Sequence, residues 1–219
     1  MKLKISAFLM GTLLAFSTQA DPITVLNHSF EVDNVANDSA SQDNNSWIET
    51  SGSSFGTLDR NGPSYGAVIA PTPDADGEQL LWSNIGTLYQ TLSDGLAANT
   101  TYDVYVDVGH RQFFDFDGAE IRLGYGSTAG ANLLTPTSVV NPTPNLGWET
   151  WQYTFTTGAS PAGEGQALRV ELYNPNVGEQ TLFDNVRINA NVVPEPTTFS
   201  LFALVIAGVA SRRFRKRFS

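Results

Sequence analysis

Residues 101–111 read Thr-Tyr-Asp-Val-Tyr-Val-Asp-Val-Gly-His-Arg. Apolar side chains fall at every second position from Tyr102 to Val108, and the positions between them hold Asp103, Tyr105 and Asp107. Side chains of a β-strand point alternately to its two faces, so this period of two predicts a strand with one buried face and one wet face.

Similar short runs recur between clusters of Gly, Asn, Asp, Ser and Pro, and no segment between the two ends of the chain shows a convincing helical period. Many short strands separated by turn residues predict an all-β fold, an antiparallel β-sandwich of the jelly-roll type. The segments Val32–Asn45 and Asn132–Gly147 are long and polar, and we predict them to be loops. Predicted strands lie near Ile23–Val25, Glu78–Asn84, Thr87–Ser93, Thr101–Arg111, Ala119–Tyr125, Trp148–Thr157, Ala167–Tyr173 and Thr181–Asn189.

The C-terminal end has a different composition. The sequence Val193-Pro194-Glu195-Pro196 precedes the apolar stretch Thr197–Ala210, which would be about 21 Å long as a helix and therefore shorter than the ~30 Å of membrane hydrocarbon. Positive residues beyond such a stretch resist translocation, so we expect a temporary anchor with a cytoplasmic tail. The cations that stop the transfer are Arg212, Arg213, Arg215, Lys216 and Arg217.

This order of Pro-Glu-Pro, short apolar stretch and arginine cluster resembles the PEP-CTERM sorting signal of exported proteins. The resemblance implies that a membrane enzyme, an exosortase, recognises the motif and processes the tail. An ordinary tail anchor preceded by a chance Pro-x-Pro is the alternative. The implied route is a transient stay in the inner membrane followed by the cell surface or extracellular matrix.

The N-terminal end predicts a secretory signal peptide. A cationic start, Met1–Lys4, precedes the apolar run Ile5–Phe16 and the small residues that end at Ala20. We expect the Sec translocon to be the first partner and cleavage to follow Ala20. The predicted domains are the signal peptide at 1–20, a β-sandwich at 21–191 and the sorting signal at 192–219.

The charge balance excludes one class of partner. Residues 21–196 contain all 22 acidic residues of the chain but only five arginines and no lysine, which gives a net charge of −17. Nucleic acid is therefore not an expected partner, since its binding depends on Lys and Arg. The chain has no cysteine, so disulfides and thiol chemistry are excluded.

The order of short motifs along the mature chain resembles the galactose-binding-like jelly rolls, which include many carbohydrate-binding modules. These motifs are Asn27–Glu31 near the start, Leu88–Leu92 in the middle and Leu182–Ile188 at the end. The resembling modules carry a structural Ca²⁺ near their first and last strands. The resemblance thus implies calcium, with Glu31 and Asp184 as candidate ligands, and oxygen ligands are what Ca²⁺ prefers. The alternative is that Asp184 caps backbone amides while Glu31 is solvated.

Charged residues and tyrosines share the predicted outward parity of several strands, so they could form one polar ladder on a sheet face. Its members would be Arg111, Arg122, Arg169, Arg187, Asp103, Asp107, Glu120, Glu171, Tyr105 and Tyr173. A sugar-binding face is the sharper interpretation, with Tyr105, Arg111 and Trp148 as candidate contacts. Cross-strand charge pairs on a wet face explain the same residues without a ligand.

The sequence contains no familiar catalytic constellation, because the two histidines are isolated and no nucleophile elbow or metalloprotease motif is present. We therefore expect a protein that is not an enzyme and that binds an extracellular polysaccharide. A structural matrix or coat protein without a specific ligand is the alternative, and an unrecognised hydrolase is a third.

The first prediction concerns the sorting tail. Glu195→Ala should leave full-length protein in the inner membrane, because the Pro-Glu-Pro element is what the processing enzyme recognises. Mass spectrometry of the exported wild-type protein measures the outcome. Intact Ser219 on released wild-type protein would contradict processing.

Overall fold

Eleven β-strands and one short 3-10 helix make up the part of the chain that the computed structural model describes, namely residues 20–37, 39–59, 76–111, 113–116, 118–175 and 180–193. All strand pairings among these residues are antiparallel. The strands are β1 Asp21–Ile23, β2 Ala40–Ser41, β3 Ile48–Glu49, β4 Ser54–Asp59, β5 Gln79–Gly95, β6 Thr100–His110, β7 Glu120–Tyr125, β8 Pro136–Val140, β9 Trp148–Thr156, β10 Ala167–Asn174 and β11 Thr181–Val192, and the 3-10 helix is Glu31–Asp33. The predicted all-β antiparallel fold is confirmed.

The strands form two layers. The larger sheet has the order β2-β4-β5-β11-β6-β9-β8, with β1 beside the second half of β11. The smaller sheet joins β3, β5, β10 and β7. β5 contributes its first half to the larger sheet and its second half to the smaller one, and the change occurs near Gly86, whose φ of 100° favours glycine.

The core lies between these layers. Val104, Val106 and Val108 of β6 are fully buried in it, as the alternation of residues 101–111 predicts. On β9 the rings of Trp151, Tyr153 and Phe155 follow one another with centroids 6.5 Å apart, and they cover the inner side of the larger sheet.

The structure differs from the sequence prediction in several strands: β2 lies inside the predicted loop Val32–Asn45, and β3 and β4 match no predicted strand. The predicted strands Glu78–Asn84 and Thr87–Ser93 are one continuous strand that bends between the sheets. β8 lies inside the predicted loop Asn132–Gly147, and all five of its residues are exposed, so it has no alternating pattern for a sequence argument to detect.

Asp184 shares its sequence parity with Leu182, Val186 and Ile188, which predicts a carboxylate on the core side, and the register of β11 corrects this prediction. Asp184 pairs with Asp107, but Arg187 pairs with Tyr105, so β11 uses one residue more than β6 over this interval. This is a β-bulge, and Asn185 within it has a φ of 51°. Asp184 therefore faces the outer side of the larger sheet and not the core side, while Val186 returns to the core.

The predicted polar ladder is divided between two faces. Arg187 lies on the larger sheet, whereas Arg122 and Arg169 lie on the smaller one. Arg169 and Glu171 are fully buried and form an ion pair of 2.6 Å from Nε to Oε1. The Arg169 guanidinium also donates to the carbonyls of Tyr125 and Gly126.

Among the described residues, no helix is long and apolar enough to cross a membrane. Residues 1–19 of the predicted signal peptide and the predicted membrane stretch after Pro196 lie outside the described residues, as do the five cations of the tail.

The second prediction concerns the buried ion pair. Arg169→Met should lower the free energy of unfolding by about 3–5 kcal/mol, because it leaves the Glu171 carboxylate buried without its partner charge. Chemical denaturation measures the change. Arg122→Met is the matched control, since the Arg122–Glu120 pair is partly exposed and should contribute less than about 1 kcal/mol. Equal effects of the two substitutions would contradict the prediction.

Candidate functional site

A row of paired residues with two tryptophans crosses the outer face of the larger sheet. From β4 to β9 the paired neighbours are Gly56, Trp82, Leu182, Gly109 and Trp148. The glycines leave room for the indoles: a Cβ at Gly56 would lie 2.6 Å from Cζ2 of Trp82, and a Cβ at Gly109 would lie 3.0 Å from Cδ2 of Trp148. The row is therefore built to place two indoles against the sheet.

Two leucines on the same side extend this row into an apolar cluster. Leu58 and Leu80 pair across β4 and β5 and pack with Leu182, Trp82 and Trp148. We call these five residues the tryptophan cluster. The indole N–H groups of Trp82 and Trp148 are buried and have no hydrogen-bond acceptor among the described residues. Buried donors of this kind are rare in proteins and indicate a place where a further acceptor is needed.

An acid pair occupies the next row of the same face, where Asp184 of β11 is paired with Asp107 of β6. The Asp107 carboxylate accepts hydrogen bonds from Thr150 Oγ1 at 2.6 Å and Asn185 Nδ2 at 2.9 Å, and it lies 3.1 Å from the Arg187 guanidinium. A buried carboxylate with one cation and two further donors can keep its charge. Asp107 is thus the member of the pair that has a cation beside it.

Asp184 has a different environment. It is fully buried, and its two oxygens accept backbone N–H groups from Asn185 at 2.7 Å and Asp76 at 2.9 Å. Burial is the main reason that the pKa of Asp184 is raised from its ordinary value to about 8, and the charges of Asp107 and Asp76 add to the rise while the two backbone hydrogen bonds oppose it. Near neutral pH this side chain is therefore a carboxylic acid.

A cavity of about 640 Å³ opens beside the acid pair, where β1 meets β11. Its polar lining comes from Tyr105, Asn185, Arg187 and His28, and its apolar lining includes Ile23 and Val186. Asn185 and Arg187 line the cavity and also bind the Asp107 carboxylate, so two residues connect the cavity with the acid pair. Neither Asp107 nor Asp184 lines the cavity, so a ligand in this space would reach the acid pair through Asn185 and Arg187.

Another open groove follows the edge between β7 and β9. It consists of two cavities of about 630 and 390 Å³ that share Ala119, Glu120 and Asn141. Aromatic side chains from β9 form one wall, but the carboxylate in the groove, Glu120, is partly exposed and paired with Arg122. This groove could hold an apolar molecule, and its carboxylate has a cation beside it.

The predicted calcium ligands bind neighbouring parts of one segment. Glu31 Oε1 accepts the backbone N–H groups of Glu78 and Gln79, both at 2.7 Å, while Asp184 accepts that of Asp76. Among the described residues, no three acidic or histidine side chains gather closely enough to hold a metal ion. A calcium ion at Glu31 and Asp184 stays a prediction.

The predicted sugar contacts are not brought together. Tyr105 is partly exposed at the cavity, with the Arg187 guanidinium 5.8 Å from its ring centre. Arg111 contacts Gln180 and lies 4.8 Å over the Phe114 ring, near the end of β6. Trp148 is buried in the tryptophan cluster. Sugar binding by these three residues stays a prediction.

Sequence reasoning missed Trp82, Asp107 and Arg187 as site residues. The alternation predicts that Asp107 and Arg187 lie on a wet face, and the outward parity of Asp107 on β6 is the only sequence feature that points to its role in the site. Trp82 becomes a neighbour of Leu182 only through the pairing of β5 with β11, about a hundred residues apart in the chain.

Two family models match the chain. The HpiC1-like family, described as HpiC1 cyclase, matches residues 21–189. The PEP-CTERM protein-sorting motif matches residues 192–216. None of the curated proteins matches this chain.

Solved structures with a similar fold include Stig cyclases of Fischerella. The Stig cyclase Fisc from Fischerella sp. TAU, in complex with (3Z)-3-(1-methyl-2-pyrrolidinylidene)-3H-indole, has a TM-score of 0.65 and 24% identity and covers 80% of this chain and 100% of its own. A cyclase from Fischerella sp. TAU in complex with 4-(1H-indol-3-yl)butan-2-one has a TM-score of 0.64 and 24% identity, with the same coverage of both chains. At this identity they show the fold.

A carbohydrate-binding neighbour is more distant. The CBM22-1 xylan-binding domain of Paenibacillus barcinonensis Xyn10C has a TM-score of 0.45 and 13% identity and covers 82% of this chain and 100% of its own. A likeness of this size does not support carbohydrate binding here.

The comparisons confirm one sequence prediction and correct another. The PEP-CTERM motif, with Val193, Pro194, Glu195 and Pro196, is present, so the chain is an exported protein sorted through an exosortase. The expectation that the protein is not an enzyme is wrong, because the domain matches a family of cyclases. That expectation failed because it depended on motifs of hydrolases and nucleophilic enzymes.

The third prediction concerns calcium. If Glu31 and Asp184 hold an ion, calcium at a hundredfold excess over Kd should stabilise the exported protein by about 2.7 kcal/mol. EDTA should then lower the melting temperature, and Asp184→Asn should abolish the difference. Identical melting with and without the chelator would exclude the ion.

Proposed function

Since the chain belongs to the HpiC1-like cyclase family, we propose that its β-sandwich catalyses ring closure of a small apolar molecule with Asp184 as the proton donor. The observation that carries this proposal is the contrast within the acid pair. Asp107 has a cation and two hydrogen-bond donors for its charge, whereas Asp184 has two backbone amides and no cation within the described contacts.

When two carboxyl groups have contrasting environments, one can stay protonated and act as an acid while the other stays ionised. Enzymes that need an acid near neutral pH keep one carboxyl group protonated by burial and a neighbouring negative charge. Asp184 meets both conditions, and its pKa of about 8 supports the assignment. A proton donor works best when its pKa lies near the operating pH.

The proposed reaction starts with protonation of an unsaturated carbon or nitrogen of the substrate by the Asp184 carboxyl group. The resulting cation is attacked by a π bond of the same molecule, which forms the ring. Loss of a proton from the cyclised cation to the Asp184 carboxylate restores the acid. The product is an isomer of the substrate, so no oxidant, reductant or co-reactant is consumed.

The side chains of Trp82 and Trp148 could stabilise the cation that protonation of the substrate forms. The face of a tryptophan ring attracts a cation, and the effect is stronger where water is excluded. Trp82 and Trp148 lie one row of residues away from the acid pair, on the same face of the sheet. The unpaired indole N–H groups could donate to a heteroatom of the substrate.

The substrate class is proposed from the cavity and the neighbouring structures. The cavity beside the acid pair has about 640 Å³, which suits a molecule of a few rings. Two structures of similar fold hold indole compounds. We therefore propose an indole with an unsaturated side chain, which can be protonated and can also supply the attacking π bond.

The fourth prediction tests the proton donor. Asp184→Asn should reduce turnover by roughly 10²–10⁴-fold, the usual contribution of a positioned acid. Incubation with 3-alkenylindoles, followed by chromatography and mass spectrometry, detects a cyclised isomer of unchanged mass. Asp103→Asn is the matched control, because Asp103 lies on the same face of β6 but hydrogen-bonds Thr154 and Gln152 instead of the acid pair.

The pH dependence gives a second readout. Turnover should fall as pH rises through about 8, where Asp184 loses its proton. The folded pKa lies above the unfolded value, so the stability that the neutral acid contributes is fully present below about pH 4 and is lost as pH rises through about 8. Asp184→Asn should flatten this slope. Wild-type turnover in Asp184→Asn would refute the acid role, and no isomer from any alkenylindole would refute the substrate class.

A further inference from the structure

The last strand leads directly into the sorting motif. Val192 is the final residue of β11 and pairs with Thr100, and the sorting motif matches from residue 192 onward. Val193 N–H then donates to the Asn99 carbonyl at 2.6 Å. Pro194 is the next residue, so no linker separates the folded sheet from Pro-Glu-Pro.

The loops around this exit point are tied to each other by backbone hydrogen bonds. Asn99 N–H donates to Gly158 O, Thr157 N–H donates to Thr100 O, and Leu96 and Gly165 are likewise connected. We call the surface of residues 95–99 and 157–166 the exit pole. Ala97, Ala159, Ser160 and Ala162 are exposed on it with short side chains, whereas Glu164 and Gln166 are exposed with longer ones.

Chain geometry limits how far the motif can lie from this pole. Val193 to Pro196 are four residues, which reach at most about 14 Å when fully extended. An enzyme that recognises the Pro-Glu-Pro backbone and side chains must surround them with several ångströms of protein on each side. Its outer surface therefore has to approach the folded domain within contact distance.

We infer that the exit pole is a docking surface for the processing enzyme that recognises Pro194–Pro196. The length of chain between the last hydrogen bond of the sheet and the motif requires this contact. The short side chains of Ala159, Ser160 and Ala162 let a second protein approach this part of the pole closely. The inference depends on the sorting motif and not on the cyclase reaction, so the two can fail separately.

The start of the mature chain lies at the same pole. Asp21, the first residue of β1, pairs with Ala190 near the end of β11. The predicted signal-peptide site after Ala20 and the sorting motif thus leave the sandwich side by side. Both membrane attachments of the newly exported chain would hold this pole against the membrane, where the processing enzyme resides.

Bulky substitutions on the pole test the inference in the full chain. In cells with the sorting system, Ala159→Trp should slow tail removal by about tenfold, which corresponds to about 1.4 kcal/mol of lost contact. Pulse labelling with a C-terminal epitope measures the rate. Asn145→Trp is the matched control, because Asn145 is exposed in the loop near the opposite end of β6 and should process at the wild-type rate.

A spacer distinguishes two causes of slow processing, namely steric interference at the pole and misfolding of the domain. A Gly/Ser insertion of about twelve residues between Val193 and Pro194 adds a root-mean-square distance of about 19 Å. It should restore processing of Ala159→Trp and of the independent variant Ser160→Trp. Wild-type rates for both tryptophan variants would overturn the inference, as would slow processing that the spacer does not restore. A lipid surface on this pole would also give wild-type rates, and would therefore count against the docking surface.

Discussion

The bulge at Asn185 determines the arrangement of the site. With a regular register, Asp184 and Arg187 would point to opposite faces of β11, because they are three residues apart. The extra residue places both on the outer face, opposite Asp107 and Tyr105. Asn185 adopts a φ of 51°, which asparagine tolerates better than most residues, and its N–H and side chain bind the two members of the acid pair. One local irregularity thus places an acid, a carboxylate and a cation together.

The net negative charge of the domain affects which carboxylate of the acid pair has a cation beside it. With a net charge of −17 in residues 21–196, the surface already favours protonation of any carboxylate that lacks a cation. Only five arginines are available in this region, and two of them, Arg122 and Arg169, belong to the smaller sheet. Arg187 can neutralise one member of the acid pair. Burial raises the pKa of Asp184, and the scarcity of cations leaves this side chain without a described cation that would oppose the rise.

The sequence predicts where a strand such as β6 lies better than it predicts which strands pair with each other. The alternation in residues 101–111 is a local property, so β6 could be found within one residue of its ends. Asp184 and Tyr105 were singled out from their parity, but the parity of Asp184 was wrong because a bulge is not visible in a pattern of apolar residues. The tryptophan cluster depends on pairing between β4, β5, β11, β6 and β9, which no local signal contains. A single buried acid has no motif either, so the catalytic class could be recognised only through the family.

The two ends of β11 have different roles, and its length keeps them apart. Asp184 lies near the start of the strand and Val192 at its end, eight residues or about 26 Å away. Because β1 runs antiparallel along the final residues of β11, both chain ends leave at the exit pole. While the tail holds the protein at the membrane, Asp184 is therefore carried well away from the point of attachment. Removal of the tail can then proceed at one pole without disturbing hydrogen bonds of the acid pair, which involve β6, β9 and residue 76 instead of the loops at that pole.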